Sequence, residues 1–147
     1  MLDILLAASI AFAPQTSTTW QLIDINRELS RVLTVDIATK PAAPKPDAIV
    51  KARIFVTMDN PEISALTGYW TIDCGKNLHR VSETAIYDKA GKLGPADPEP
   101  LPWEATSSGT LFQAVADYVC GGKTLYPGKV VTGSAPIAAA NALLKPS

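Results

Sequence analysis

The sequence predicts an α+β domain: an antiparallel β-sheet of about five to six strands packed with one C-terminal α-helix, the helix tied to the sheet by a disulfide. Period-2 runs rich in β-branched and aromatic residues fill the chain from Trp20 to Asp88, and a 3.6-period run follows from Leu111 to Cys120. The two cysteines, Cys74 and Cys120, fall one in each kind of segment. At 147 residues and 47% hydrophobic content, the chain suits one compact domain, since two would each have a marginal core.

Met1 to Ala13 contain an apolar run that ends in the small-x-small triplet Ala11-Phe12-Ala13. This is the h-region and cleavage pattern of a secretory signal peptide, shorter than the ~20 residues of a bilayer-spanning helix. Asp3, the lack of Lys or Arg ahead of the run, and Pro14 after the proposed cut depart from that pattern, and a buried N-terminal helix or strand is the other reading. No cysteine follows the run, so no lipobox anchor is expected there. The expected organisation is a signal peptide at 1–13, a spacer at 14–19, an α+β domain at 20–122 and a loosely ordered tail at 123–147.

Trp20 to Ile25 and Val32 to Ala38 read as the first two strands, joined by a turn at Asn26-Arg27-Glu28. Pro41, Pro44 and Pro46 make Thr39 to Asp47 a loop, because proline fixes φ and removes a donor. The clearest strand is Val50 to Met58. Val50, Ala52, Ile54, Val56 and Met58 form its core face, with Lys51, Arg53, Phe55 and Thr57 on a wet face. Gly68 to Cys74 follows the turn residues Asp59 to Glu62, with Trp70, Ile72 and Cys74 on one face and Tyr69, Thr71 and Asp73 on the other. Leu78 to Asp88 is a further run, Gly91 supplies a tight connection, and a Pro-rich stretch from Pro95 to Pro102 leads to an edge strand near Trp103.

The period then changes. Thr110-Leu111-Phe112-Gln113 has capping-box spacing, with Ser107 and Ser108 as alternative caps, and Leu111, Phe112, Val115, Val119 and Cys120 share a stripe. Gly121-Gly122 ends the helix. Its last turn presents Cys120 toward the strand that carries Cys74, which makes a disulfide the expected state, with buried free thiols as the alternative. Closing that loop stabilises the fold by roughly 4 kcal/mol at most in the chain-entropy account. The tail holds a short helical segment between Pro136 and Lys145, which is too short to be stable alone.

Thirteen basic and fourteen acidic residues are interleaved, for a net charge of -1, so no field of one sign attracts nucleic acid or an anionic lipid surface. Two cysteines and one histidine, without C-x-x-C spacing, supply neither a zinc site nor a dithiol redox centre. Ser107 or Ser108 with His79 and Asp73 or Asp88 lacks a nucleophile elbow, and these serines read better as caps. His79 reads as a solvated sheet residue, and Asp97 and Glu99 stand in a solvated loop. Gly121-Gly122-Lys123 follows a helix rather than opening one and makes no phosphate cradle. No catalytic, cofactor or metal residue is therefore expected. The remaining candidate is a binding face of Lys51, Arg53, Phe55, Tyr69 and Thr71, weighed against ordinary solvated sheet surface.

The order of landmarks is Trp20, a strand pair, Tyr69-Trp70-Thr71-Ile72-Asp73-Cys74, Tyr87-Asp88-x-x-Gly91, Trp103, a serine-containing helix start and Val119-Cys120. Between Trp20 and Cys120 it resembles the surface-adhesin protein E family of small exported bacterial envelope proteins. The resemblance implies a sheet with one helix, Ile72-Asp73-Cys74 as a central strand, Tyr87-Asp88 and Gly91 as a strand end and turn, and Cys120 as the disulfide partner. With the export signal and no lipobox, the reading is a periplasmic or secreted interaction module of this type, and the mixed basic and aromatic face suits a protein or glycan partner. A periplasmic accessory protein that binds another bacterial protein is the alternative, and a hydrolase is third.

Overall fold

The computed structural model of the protein describes residues 17–43 and 45–145. The expected signal peptide and the first part of the spacer lie outside the described residues. Five strands, β1 (Thr19–Asn26), β2 (Arg31–Asp36), β3 (Ile49–Thr57), β4 (Ile63–Asp73) and β5 (Leu78–Asp88), form an antiparallel meander in chain order. β6 (Glu104–Ala105) pairs with β5 at one edge and β7 (Val130–Thr132) with β1 at the other. Between them in the chain lies α1 (Leu111–Gly121), and the last element among the described residues is α2 (Ile137–Ala142).

The hairpin turns are fixed by short polar side chains that satisfy local donors. Asn26 accepts from the Leu29 N–H, Asn60 from Glu62, Asp73 from Lys76, and Asp88 from both Ala90 and Lys92. Thr110 caps α1, its hydroxyl accepting from the Gln113 N–H at 3.2 Å. The reciprocal half of the capping box does not form, because the Gln113 amide donates to Asp117 instead. Gly122 ends the helix in the left-handed conformation at φ 71°, a backbone state that costs glycine least.

The core lies on both sides of the sheet. Under α1, Val50, Ala52, Ile54 and Val56 of β3 meet Leu33, Val35, Trp70, Ile72, Val115 and Val119. The disulfide between Cys74 and Cys120 joins the end of β4 to the last turn of α1, as expected. On the opposite face, Trp20, Phe55, Ala65, Tyr87 and Val131 form a second cluster beneath Ala135, Ile137 and Leu143, and Leu22 and Val32 pack with Ala140.

This second layer corrects several expectations. Among the described residues the sheet has seven strands rather than five or six, and α1 is followed by β7 and α2 rather than ending the fold. β6 and β7 span two and three residues, too few to show a period. The segment after Gly122, expected to be loosely held, is pinned to β1: the Trp20 indole donates to the Gly133 carbonyl at 2.7 Å, and the Gln21 amide to Tyr126 and Lys129. Phe55 and Thr57, assigned to a wet face, are both 0% exposed: Phe55 lies beneath this segment, and the buried Thr57 hydroxyl accepts from the Val32 N–H. Alternation separates the two faces of a strand without saying what covers either one.

Candidate functional site

The C-terminal segment covers the second face over Trp20, Phe55, Ala65 and Tyr87 but not over the other ends of β3, β4 and β5, where register places Lys51, Thr71 and Arg80 in one cross-strand row, with Arg53, Tyr69 and Ser82 in the next. Four of the five residues expected on a binding face, Lys51, Arg53, Tyr69 and Thr71, therefore share one surface. Phe55 does not join them: its ring packs 5.5 Å from Trp20 and 5.8 Å from Tyr87, inside the core.

The side chains of this surface orient one another. The Lys51 ammonium sits 4.6 Å from the Tyr69 ring centroid and pairs with Glu83 at 2.6 Å. Arg53 lies 5.1 Å from the Trp20 ring and 3.7 Å from the Asp36 carboxylate. Arg80 stacks 5.1 Å from Trp103, and its Nε donates to the Leu101 carbonyl at 3.3 Å. Cation–π contacts at such partly exposed sites contribute about 0.5–1 kcal/mol each, enough to bias rotamers before any ligand arrives.

A groove of about 410 Å³ runs through this region, floored by Thr71 and Ser82 and walled by Pro98, Pro100 and Trp103. The Pro-rich strap that forms the wall is pinned to β5 through the Gly94, Asp97 and Leu101 N–H groups, which donate to Ile86, Thr84 and Val81. Asp97 and Glu99 are exposed on that strap, and the Asp97 carboxylate accepts from the Glu99 N–H.

Sequence reasoning missed Arg80, Glu83 and Trp103 as members of the surface. Arg80 could have been found from the strand period, because it stands on the opposite face of β5 from His79 and Val81, which pack toward α1. Glu83 could not. It sits at φ 54° in a bulge where β5 carries one more residue than β4 between the pairs Thr67↔Ala85 and Tyr69↔Ser82, and no glycine marks the place. The bulge turns Glu83 onto the same side as Ser82, where it reaches Lys51.

His79 is also corrected. It was expected to be a solvated residue, but it is 4% exposed, stacked on Phe112, with Nδ1 3.0 Å from the Thr106 hydroxyl and Nε2 3.9 Å from Glu104. Hydroxyl, imidazole and carboxylate here resemble a hydrolytic triad in composition, yet Thr106 is 5% exposed and its hydroxyl contact with the imidazole is buried. The cluster instead latches β6 to β5. Ser107 and Ser108 lie in the turn before α1, where the Ser107 carbonyl accepts from the Thr110 hydroxyl.

Among the described residues, no three His, Cys, Asp or Glu side chains converge in a way that could hold a metal ion. Comparison of the chain with family models, with curated proteins and with solved structures gives no match.

Proposed function

We propose that the chain is a non-enzymatic, exported envelope protein, periplasmic or secreted, that holds a protein or glycan partner on the open half of its second sheet face. We further propose that it is a module of the surface-adhesin protein E type, a reading supported by the order of sequence landmarks between Trp20 and Cys120. The observation that carries the functional reading is the contrast between the two halves of one face. The C-terminal segment covers Trp20, Phe55 and Tyr87, whereas Lys51, Tyr69, Thr71, Arg80 and Trp103 remain outside it.

Tyrosine, tryptophan and arginine are the side chains that contribute most to association when buried by a partner. Held in place beforehand by cation–π contacts, they lose less entropy on binding. Export is supported by the apolar run before Pro14 and by the disulfide, a bond that persists in oxidising compartments. Among the described residues, no helix is long and apolar enough to cross a membrane.

The test places a photo-crosslinking residue at Thr71 in the oxidised full chain and exposes it to envelope extracts. A discrete adduct that disappears when Arg80→Gln and Trp103→Ala are introduced is the expected result, and an adduct pattern indifferent to those changes overturns the reading. Protease treatment of intact cells then separates a surface module, which is cleaved, from a periplasmic accessory protein, which is protected.

A further inference from the structure

The open face has an uneven charge pattern. Lys51 is paired with Glu83 and Arg53 with Asp36, but Arg80 forms no ion pair among the described residues. Its guanidinium is nevertheless fixed, by the Nε bond to the Leu101 carbonyl and by the Trp103 ring. An arginine held by Nε and by one face keeps its terminal nitrogens free for a planar anion, which it binds through two parallel bonds. Thr71 stands between Arg80 and Lys51 in the same row, so a second cation lies two strand spacings away, roughly 10 Å across the sheet.

Trp103 stands at the rim, 39% exposed, beside Pro98 and Pro100. A partly exposed indole beside hydroxyls and a fixed guanidinium matches a ring with an apolar C–H face, several hydroxyls and a carboxylate. Strand addition by a peptide fits less well, because the β5 carbonyls of Val81, Thr84 and Ile86 are already taken by the strap, which closes that edge. The groove's volume lies within the roughly 300–1,000 Å³ of ordinary small-ligand clefts.

We propose that the groove between Lys51, Arg80 and Trp103 binds acidic saccharides, with the sugar carboxylate on Arg80 and the sugar ring stacked on Trp103. This deepens the interaction-module reading and rests on it. Glu83 is the groove's own competitor: its carboxylate occupies Lys51 until an anionic ligand displaces it.

The experiment titrates the oxidised full chain with a trimer of galacturonic acid, with the neutral galactose trimer and with hexaglutamate, following tryptophan fluorescence. Trp20 and Trp70 are buried, so a quench by ligand reports on Trp103. The galacturonate trimer is expected to bind, at least about tenfold more tightly than the neutral trimer, and to weaken about tenfold in Arg80→Gln. Trp103→Ala should abolish binding measured by calorimetry. Glu83→Gln should tighten binding, a gain that a merely structural role for Glu83 would not produce. An unchanged melting transition shows that each variant is folded.

Equal binding of the neutral trimer, or indifference to Arg80→Gln, overturns the assignment. Hexaglutamate binding as well as galacturonate, with the same variant losses, replaces the saccharide by an acidic peptide. If no probe binds but Trp103→Ala still removes the envelope adduct, the saccharide falls and the interaction module stands. If the adduct is also indifferent, both readings fall.

Discussion

The imidazole of His79 lies flat against the ring of Phe112, with centroids 3.7 Å apart and planes 13° from parallel. β5 and α1 are thus joined by an aromatic stack, beside which Thr106 bonds the ring edge. Burial pushes the imidazole pKa below its ordinary 6.5, with exposed Glu104 pulling weakly the other way.

Because the folded protein holds His79 neutral, the unfolded chain takes up the proton first as pH falls through about 6.5. The stability that depends on neutral His79 is whole above that value. It declines below it and is lost once the pH falls past the lowered folded pKa. Thermal melts between pH 7.5 and 5 should show a steeper fall for the wild type than for His79→Gln. Parallel profiles would mean that the stack tolerates the charge.

Reducing the disulfide, or introducing Cys120→Ser, should lower the melting temperature by about 10 °C, from roughly 4 kcal/mol of loop-closure entropy over a separation of 46 residues. Calorimetry with and without reductant checks this, and an unchanged transition would show that α1 stays docked through its apolar face alone.

A Cβ at Gly68 would stand 3.3 Å from the Ser82 carbonyl and from Thr84 Cα and Oγ1, so a side chain there would make the bulge in β5 give by a few tenths of an ångström. Gly68→Val should destabilise the fold by about 1–3 kcal/mol through overpacking, measured by urea unfolding, and Gly68→Ala by less. It should also disturb the Lys51–Glu83 pair, because the bulge is what presents Glu83 to that face.

Truncation after Gly133 would remove α2 together with Ala135, Ile137 and Leu143, and uncover Leu22, Val32 and the Trp20–Phe55 pair. The shortened chain should bind a hydrophobic dye and melt at a lower temperature. Native-like dye exclusion would show that the second layer is dispensable.

The chemistry of strands, turns and caps was legible in the sequence because it is local. The alternation through Val50–Val56, the turn side chains Asn60 and Asp88, the Thr110 cap and the Gly122 stop each act within a few residues, and the two cysteines had one partner each. Lys51, Arg53, Tyr69 and Thr71 were assignable to outward faces by the same alternation. Tertiary structure alone decided that β3 and β4 are neighbours, that the segment after Gly122 returns across the sheet to bury Phe55, and that His79 turns inward against Phe112 of α1. It also decided that a bulge without glycine carries Glu83 to Lys51 and that Trp103 meets Arg80. These depend on contacts between residues far apart in the chain, whose energies come from what covers a face rather than from the period that defines it.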